Sequence, residues 1–202
     1  MEKKNNIYSV SSQIFYQLDG LLNQSSGKAY LAKLRQSIGK PLSQSVEIWP
    51  FIFDVLPEDA LGISEKNTDY EEAVLTGLQM YALFQQGKAD SVLDKNETGD
   101  KPRNFGAALS ALRQTEDTSA ADRRFNAMIT SSTFDEFKYY VRQMIQLLKS
   151  KAKDRQIKIN FPKLTADLYY FKKGYQEKVR LNWSKAYYRY RKMNEGAQQN
   201  EK

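Results

Sequence analysis

Apolar residues recur at three- and four-residue steps along most of the chain and almost nowhere in strict alternation, so the pattern predicts helices. Ile7, Val10, Ile14, Leu18, Leu21 and Leu22 mark a first helix over 7–22, ended by Ser25-Ser26-Gly27. Leu31, Leu34 and Ile38 mark a second over 28–38, stopped by Gly39-Lys40-Pro41. A short aromatic segment follows over 46–56 with Trp49, Phe51 and Phe53, and Pro50 suits its first turn; clustered aromatics place it in the core. Thr68 with Glu71 forms a capping box that opens a helix carrying Tyr70, Val74, Leu78, Tyr81 and Leu83. Gly77 inside that helix signals a close helix neighbour.

The stretch 88–104 is polar and turn-rich, a boundary between two lobes. Beyond it, Gly106-Ala107-Ala108 in a short helix over 105–112 suggests a tight contact. The organising unit is 122–151, read as two helices. The second starts at a capping box of Thr133 and Glu136 and aligns Phe134, Phe137, Val141, Met144 and Leu148 on one seam. Pro162 starts another helix, Gly174 breaks it, and a last helix over 175–193 has Val179, Trp183, Ala186, Tyr187 and Tyr190 as its seam. Ile157-Lys158-Ile159 is the one strand candidate and is too short to build a sheet. The expected fold is all-α, about eight or nine helices in two small bundles joined by a polar loop. The lobes are 1–87 and 105–194, the loop is 88–104, and 195–202 forms a frayed tail.

With 202 residues, 41% of them hydrophobic, the chain can bury a core. It has no Cys and no His, which removes thiol nucleophiles, disulfides, imidazole or thiolate metal sites and histidine acid–base chemistry. The N-terminal MEKKNNIYSV has no signal-peptide pattern, and no window approaches 18 uncharged apolar residues, so a cytoplasmic protein without a membrane span is expected. No Walker A loop, GxGxxG, GxSxG, HExxH or EF-hand loop occurs. The carboxylate pairs Glu58-Asp59, Glu71-Glu72 and Glu116-Asp117 fall in loops or first turns, where they favour helix N-termini over metal. No catalytic residue, metal or cofactor is expected.

Charge changes the picture more. The net charge is +7, yet 138–192 holds 16 Lys/Arg against three carboxylates, while the remainder is net negative. That asymmetry points to a polyanion, either nucleic acid or an anionic surface. Lys138, Arg142 and Lys149 recur on a face separate from the apolar seam of their helix, and Arg123-Arg124 precede Phe125. These groups are aimed at nucleic-acid phosphates in our reading; the bland alternatives are solvation, or pairing of an arginine with Asp122 or Asp117. Lys28 and Arg35, seven apart, share an outward face with Lys33 beside it. Tyr139-Tyr140, Tyr169-Tyr170 and Tyr187-Tyr188 could stack bases, but the preferred reading puts one of each pair in the core and its neighbour at the core edge.

Seven stretches, in order and spacing, resemble one family: GKAYLAKLR, YEEAVLTGLQMYALFQQGK, FGAALSALR, DRRFNAMI, FKYYVRQMIQLLK, INFPKLTADLYYF and VRLNWSKAYY. The family is that of the small subunit of the type I-E CRISPR surveillance complex Cascade (CasB), and the resemblance covers roughly 14–188. It implies an all-helical, non-catalytic subunit. Two copies would lie beside the crRNA-bound backbone subunits, contacting crRNA only indirectly, together with the large subunit. It also implies that the basic surface contacts target DNA and holds the R-loop open, including the displaced strand. By position, the implied phosphate contacts are Lys28, Lys33, Arg35, Arg113, Arg123, Arg124 and Arg142. Two departures stand out: Gln143 replaces a frequent second basic residue, and the loop 88–104 is long and acidic. The alternative function is a helical scaffold whose basic face binds an acidic protein partner, and a third is a free-standing nucleic-acid chaperone.

Overall fold

The computed structural model describes residues 6–62, 68–95, 102–113, 118–151 and 156–199, with side chains described as far as Arg189 and that of Asp59 excepted. Within them the chain is all-α: α1 Ile7–Gly20, α2 Ser25–Gln36, α3 Trp49–Phe53, α4 Asp69–Gln85, α5 Phe105–Leu109, α6 Ser119–Ile129, α7 Phe134–Lys151, α8 Phe161–Lys172 and α9 Gln176–Gln199. The expected fold class therefore holds. The candidate strand at 157–159 contributes one parallel bridge, Ile159 to Leu93. The backbone of α9 continues through Gly196, where the sequence suggests fraying. The pair Glu116-Asp117, positions 96–101 of the polar loop, and the side chains of Tyr190 and Lys192 lie outside the described residues.

Both capping threonines accept from the N–H three residues on, and at α4 the capping box is complete. Thr68 accepts from the Glu71 N–H at 3.1 Å, and the Glu71 carboxylate accepts from the Thr68 N–H at 2.7 Å. At α7 the box is offset. Thr133 accepts from the Glu136 N–H, but the Glu136 carboxylate accepts from the N–H of Ser132 at 2.8 Å, one residue earlier. The segment 46–56 is not one helix. A 3-10 turn over Val46–Ile48 leads into the five-residue α3, with Pro50 in its first turn. Phe51 and Ile52 are buried, while Phe53 stays at the surface.

Helix α4 is apolar on nearly every side, and 13 of its 17 residues are buried, so it forms the axis of the core. α8 runs antiparallel to α4 and also packs on α1, while α2 and α7 close the remaining sides. A single connected core thus includes α1 and α4 from before the polar loop and α8 from after it. Val92 and Leu93, the apolar residues of that loop, are buried in this core. The loop's first part is further fixed by Asp19, a buried carboxylate that accepts from Tyr81 at 2.9 Å and from Ser91, and pairs with Lys95 at 3.0 Å. α6 packs on α7, while α5 and α9 pack on each other and α9 also meets α8. Phe137 stacks on Phe171 with ring centres 4.1 Å apart, and Phe125 on Tyr187 at 3.9 Å.

Two glycines mark helix crossings. A Cβ on Gly77 would lie 2.0 Å from the Thr165 hydroxyl oxygen of α8, and one on Gly106 would lie 2.1 Å from the Trp183 carbonyl oxygen of α9. Thr165 can rotate; the Trp183 backbone cannot yield without moving α9. Gly106→Ala is therefore expected to destabilise by about 1–3 kcal/mol or more, the usual range for overpacking. A urea midpoint equal to that of the parent would show that α5 and α9 separate freely.

Candidate nucleic-acid interface

α7 carries a basic stripe along α4. Lys138 reaches Glu72 near the start of α4, and Lys149 donates to the Leu83 carbonyl near its end, so the two helices run parallel. The C-terminus of α4 draws cations because its last carbonyls lack intrahelical donors. Arg35 of α2 donates to the Ala82 carbonyl at 3.4 Å, and Lys149 donates to Leu83 at 3.0 Å and to the Gln86 side chain at 3.2 Å. Gly87 then turns the chain with φ +78, a left-handed conformation that favours glycine, and Lys88 comes to lie 4.0 Å above the Phe84 ring.

The result is a pair of clefts of about 510 and 180 Å³ that share Gln86, Gly87 and Lys88. Lys28, Arg35, Lys88 and Lys149 line them, and no described carboxylate does. Burial, and then repulsion from Arg35 and Lys88, hold Lys149 below the usual lysine range. Burial alone lowers Lys88. A lysine crowded by neighbouring cations in this way gains from an anion laid beside it.

The other sequence-derived candidates divide into three groups. Arg123 and Arg124 are exposed on α6 and have no partner among the described residues. Asp122 pairs with neither; it holds Arg113 instead. The Arg113 side chain is only 9% exposed and lies over the rings of Tyr187 and Tyr188. Lys138 is likewise committed. Burial opposes its charge, but hydrogen bonds to Asp135 and Glu72 outweigh that and raise it above the usual lysine range. Lys33 is exposed on α2, outside the cleft lining. Arg142 is half-buried and lines a cavity of about 640 Å³ between α4, α7 and the turn at 38–41. Its Nε is buried with no hydrogen-bond partner.

The pairings follow from geometry that sequence spacing does not carry. Asp69 and Glu72 at the start of α4 meet Lys172, Lys173 and Lys138. Burial works to raise the Asp69 carboxyl, but Lys173 and Lys172 overcome it and hold it below its usual range. Of the tyrosine pairs, Tyr187 is in the core while Tyr188 is at its edge, and Tyr140 and Tyr169 pack against the core while Tyr139 and Tyr170 are exposed. Lys88 is the cleft residue that periodicity does not reveal, because it follows a helix end and belongs to no helical face. The signal available was its place one residue after Gln86-Gly87, where a helix C-terminus gathers positive charge.

Among the described residues, the fold and the cleft define an all-helical protein whose distinguishing chemistry is a cationic groove at a helix C-terminus, lined by no carboxylate. The model of the CRISPR-associated protein Cse2 family matches residues 30–188, and the chain belongs to that family. Its fold is similar to that of CasB from Thermobifida fusca, with 21% identity and a TM-score of 0.69 over 90% of this chain and 97% of the other. It is also similar to M. ruber CasB, with 23% identity and a TM-score of 0.64 over 93% and 97%. No curated protein matches the chain. Among the described residues no helix is long and apolar enough to cross a membrane.

Proposed function

We propose that this chain is the small, non-catalytic subunit of a type I-E Cascade complex and binds DNA without regard to sequence. The observation that carries the reading is the set Lys28, Arg35, Lys88 and Lys149 gathered around clefts that no described carboxylate lines. Arg123 and Arg124 add a second exposed cationic site on α6, without a partner among the described residues. Phosphates supply most sequence-independent affinity, and each contact releases counterions. In this reading the protein works in the cytoplasm beside the backbone and large subunits and a second copy of itself, touching target DNA and the displaced strand and meeting crRNA only indirectly. R-loop formation exchanges one duplex for another of similar stability, so a subunit that holds the displaced strand tips the balance toward the open state.

The test is the R-loop lifetime in assembled complexes carrying Arg123→Ala/Arg124→Ala. Both side chains are exposed and have no partner among the described residues, so the fold is expected to keep its stability to within about 0.5 kcal/mol. The lifetime is expected to shorten roughly fivefold or more, with a weaker salt dependence. An unchanged lifetime counts against the reading, and retained assembly with no response to salt favours an acidic protein partner for the basic face.

A further inference from the structure

The cavity of about 640 Å³ beside the α7 stripe differs in chemistry from the cationic clefts. Its walls are apolar where Ile38, Pro41, Leu75 and Met80 line it, and Tyr139, 56% exposed, also lines it. Arg142 contributes a guanidinium with no partner among the described residues, its Nε fully shielded from solvent. A buried, unpartnered donor of this kind is costly unless an acceptor arrives. Gln79, 4% exposed, donates its amide nitrogen to the Ser37 carbonyl at 2.8 Å and to the Ser37 hydroxyl at 3.1 Å, which leaves its carbonyl oxygen to accept.

A bare phosphate fits this cavity poorly. Glu72 and Asp135 line one end, and although Lys138 bridges both, they repel a string of phosphates entering there. A flat, partly apolar group attached to an anion fits better, because the volume lies within the range of small-ligand sites. Arg142 and Lys149 are seven residues apart on α7, about 10 Å along its axis, so the anion at Arg142 continues the phosphate path of the clefts.

We infer that this cavity takes one unstacked nucleobase of a single strand, stacked on Tyr139, with its phosphate on Arg142. The inference rests on the nucleic-acid reading above and adds base capture to phosphate binding. Gln79 accepts from an exocyclic amino group where the base has one; stacking needs no particular base, so the site prefers single strands without choosing a sequence.

The experiment compares binding of the full-length protein to a single-stranded oligodeoxynucleotide and to a fully abasic strand of equal length, across a salt series. The ordinary strand is expected to bind roughly tenfold tighter or more, from stacking alone. Tyr139→Ala should bring that ratio close to one and leave the salt slope unchanged, since no charge is lost, while Tyr139→Phe should keep the ratio. A 2-aminopurine in the strand should change fluorescence on binding to the parent and to Tyr139→Phe, and not on binding to Tyr139→Ala. Equal, salt-dependent binding of both strands overturns the base pocket while sparing the phosphate reading. A ratio that survives Tyr139→Ala also overturns it. Failure of both strands to bind at low salt removes the pocket together with DNA binding by the chain itself.

Discussion

Asp122→Ala is expected to lower the unfolding free energy by about 3–5 kcal/mol, the usual cost of leaving a buried charge, here that of Arg113, without its partner. For a chain of this length that corresponds to a fall in Tm of roughly 6–20 °C. Asp122 accepts from Arg113, from the Tyr187 hydroxyl at 2.7 Å and from the Thr118 hydroxyl at 3.1 Å. It thereby ties α6 to α9 and to the end of the α5 segment. Without it, Arg113 keeps its charge in a site where its side chain is 9% exposed and faces two aromatic rings. The Tyr187 hydroxyl, pushed upward first by burial and then by Asp122, loses its acceptor as well. Asp122→Asn retains an acceptor but not the charge, so it should fall between the variant and the parent. Thermal unfolding of the three proteins provides the check, and a D122A protein within 1 kcal/mol of the parent would remove Asp122 as the pin. The same geometry reassigns the effect of Arg113→Ala, which should appear first as lost stability and only then as lost binding.

Lys28→Gln/Arg35→Gln/Lys88→Gln is expected to cause the largest loss of function. Three phosphate contacts removed from a single-strand site lower the magnitude of the log–log salt slope by about 2. At physiological salt the affinity should fall by an order of magnitude or more. Lys149 is left in place because its ammonium caps the end of α4 through both Leu83 at 3.0 Å and Gln86 at 3.2 Å, whereas Arg35 makes one long contact there, 3.4 Å to Ala82. Lys33→Gln is the control, being exposed but outside the clefts. A triple variant with the parent's salt slope, measured by titration of a short single strand, would show that these clefts do not meet phosphate.

Much of this fold is legible in the sequence because local rules dictate it. The Thr68 and Thr133 caps, the seam from Phe137 to Leu148 and the close approaches at Gly77 and Gly106 each follow from spacing within one segment. Less legible was whatever depends on segments far apart in the chain. Arg113 and Lys138 read as free cations in a one-dimensional view. Their partners Asp122 and Glu72 are brought to them by helix packing, Glu72 across 66 residues. Lys88 becomes a cleft residue only once α2 and α7 converge on the end of α4. The short 3-10 turn before Trp49 escaped because three-residue turns leave no periodic trace.

The position of α8 has a consequence for how the chain is made. α1 and α4 both bury their apolar faces against this helix, whose residues run from Phe161 to Lys172. During synthesis the N-terminal segments leave the ribosome well before their packing surface does. Closing contacts over such sequence distances is slow, and α4, apolar on nearly every side, stays uncovered in the meantime. A chain ending before Phe161 is therefore expected to expose the apolar faces of α1 and α4 and to aggregate, whereas one that includes α8 covers them.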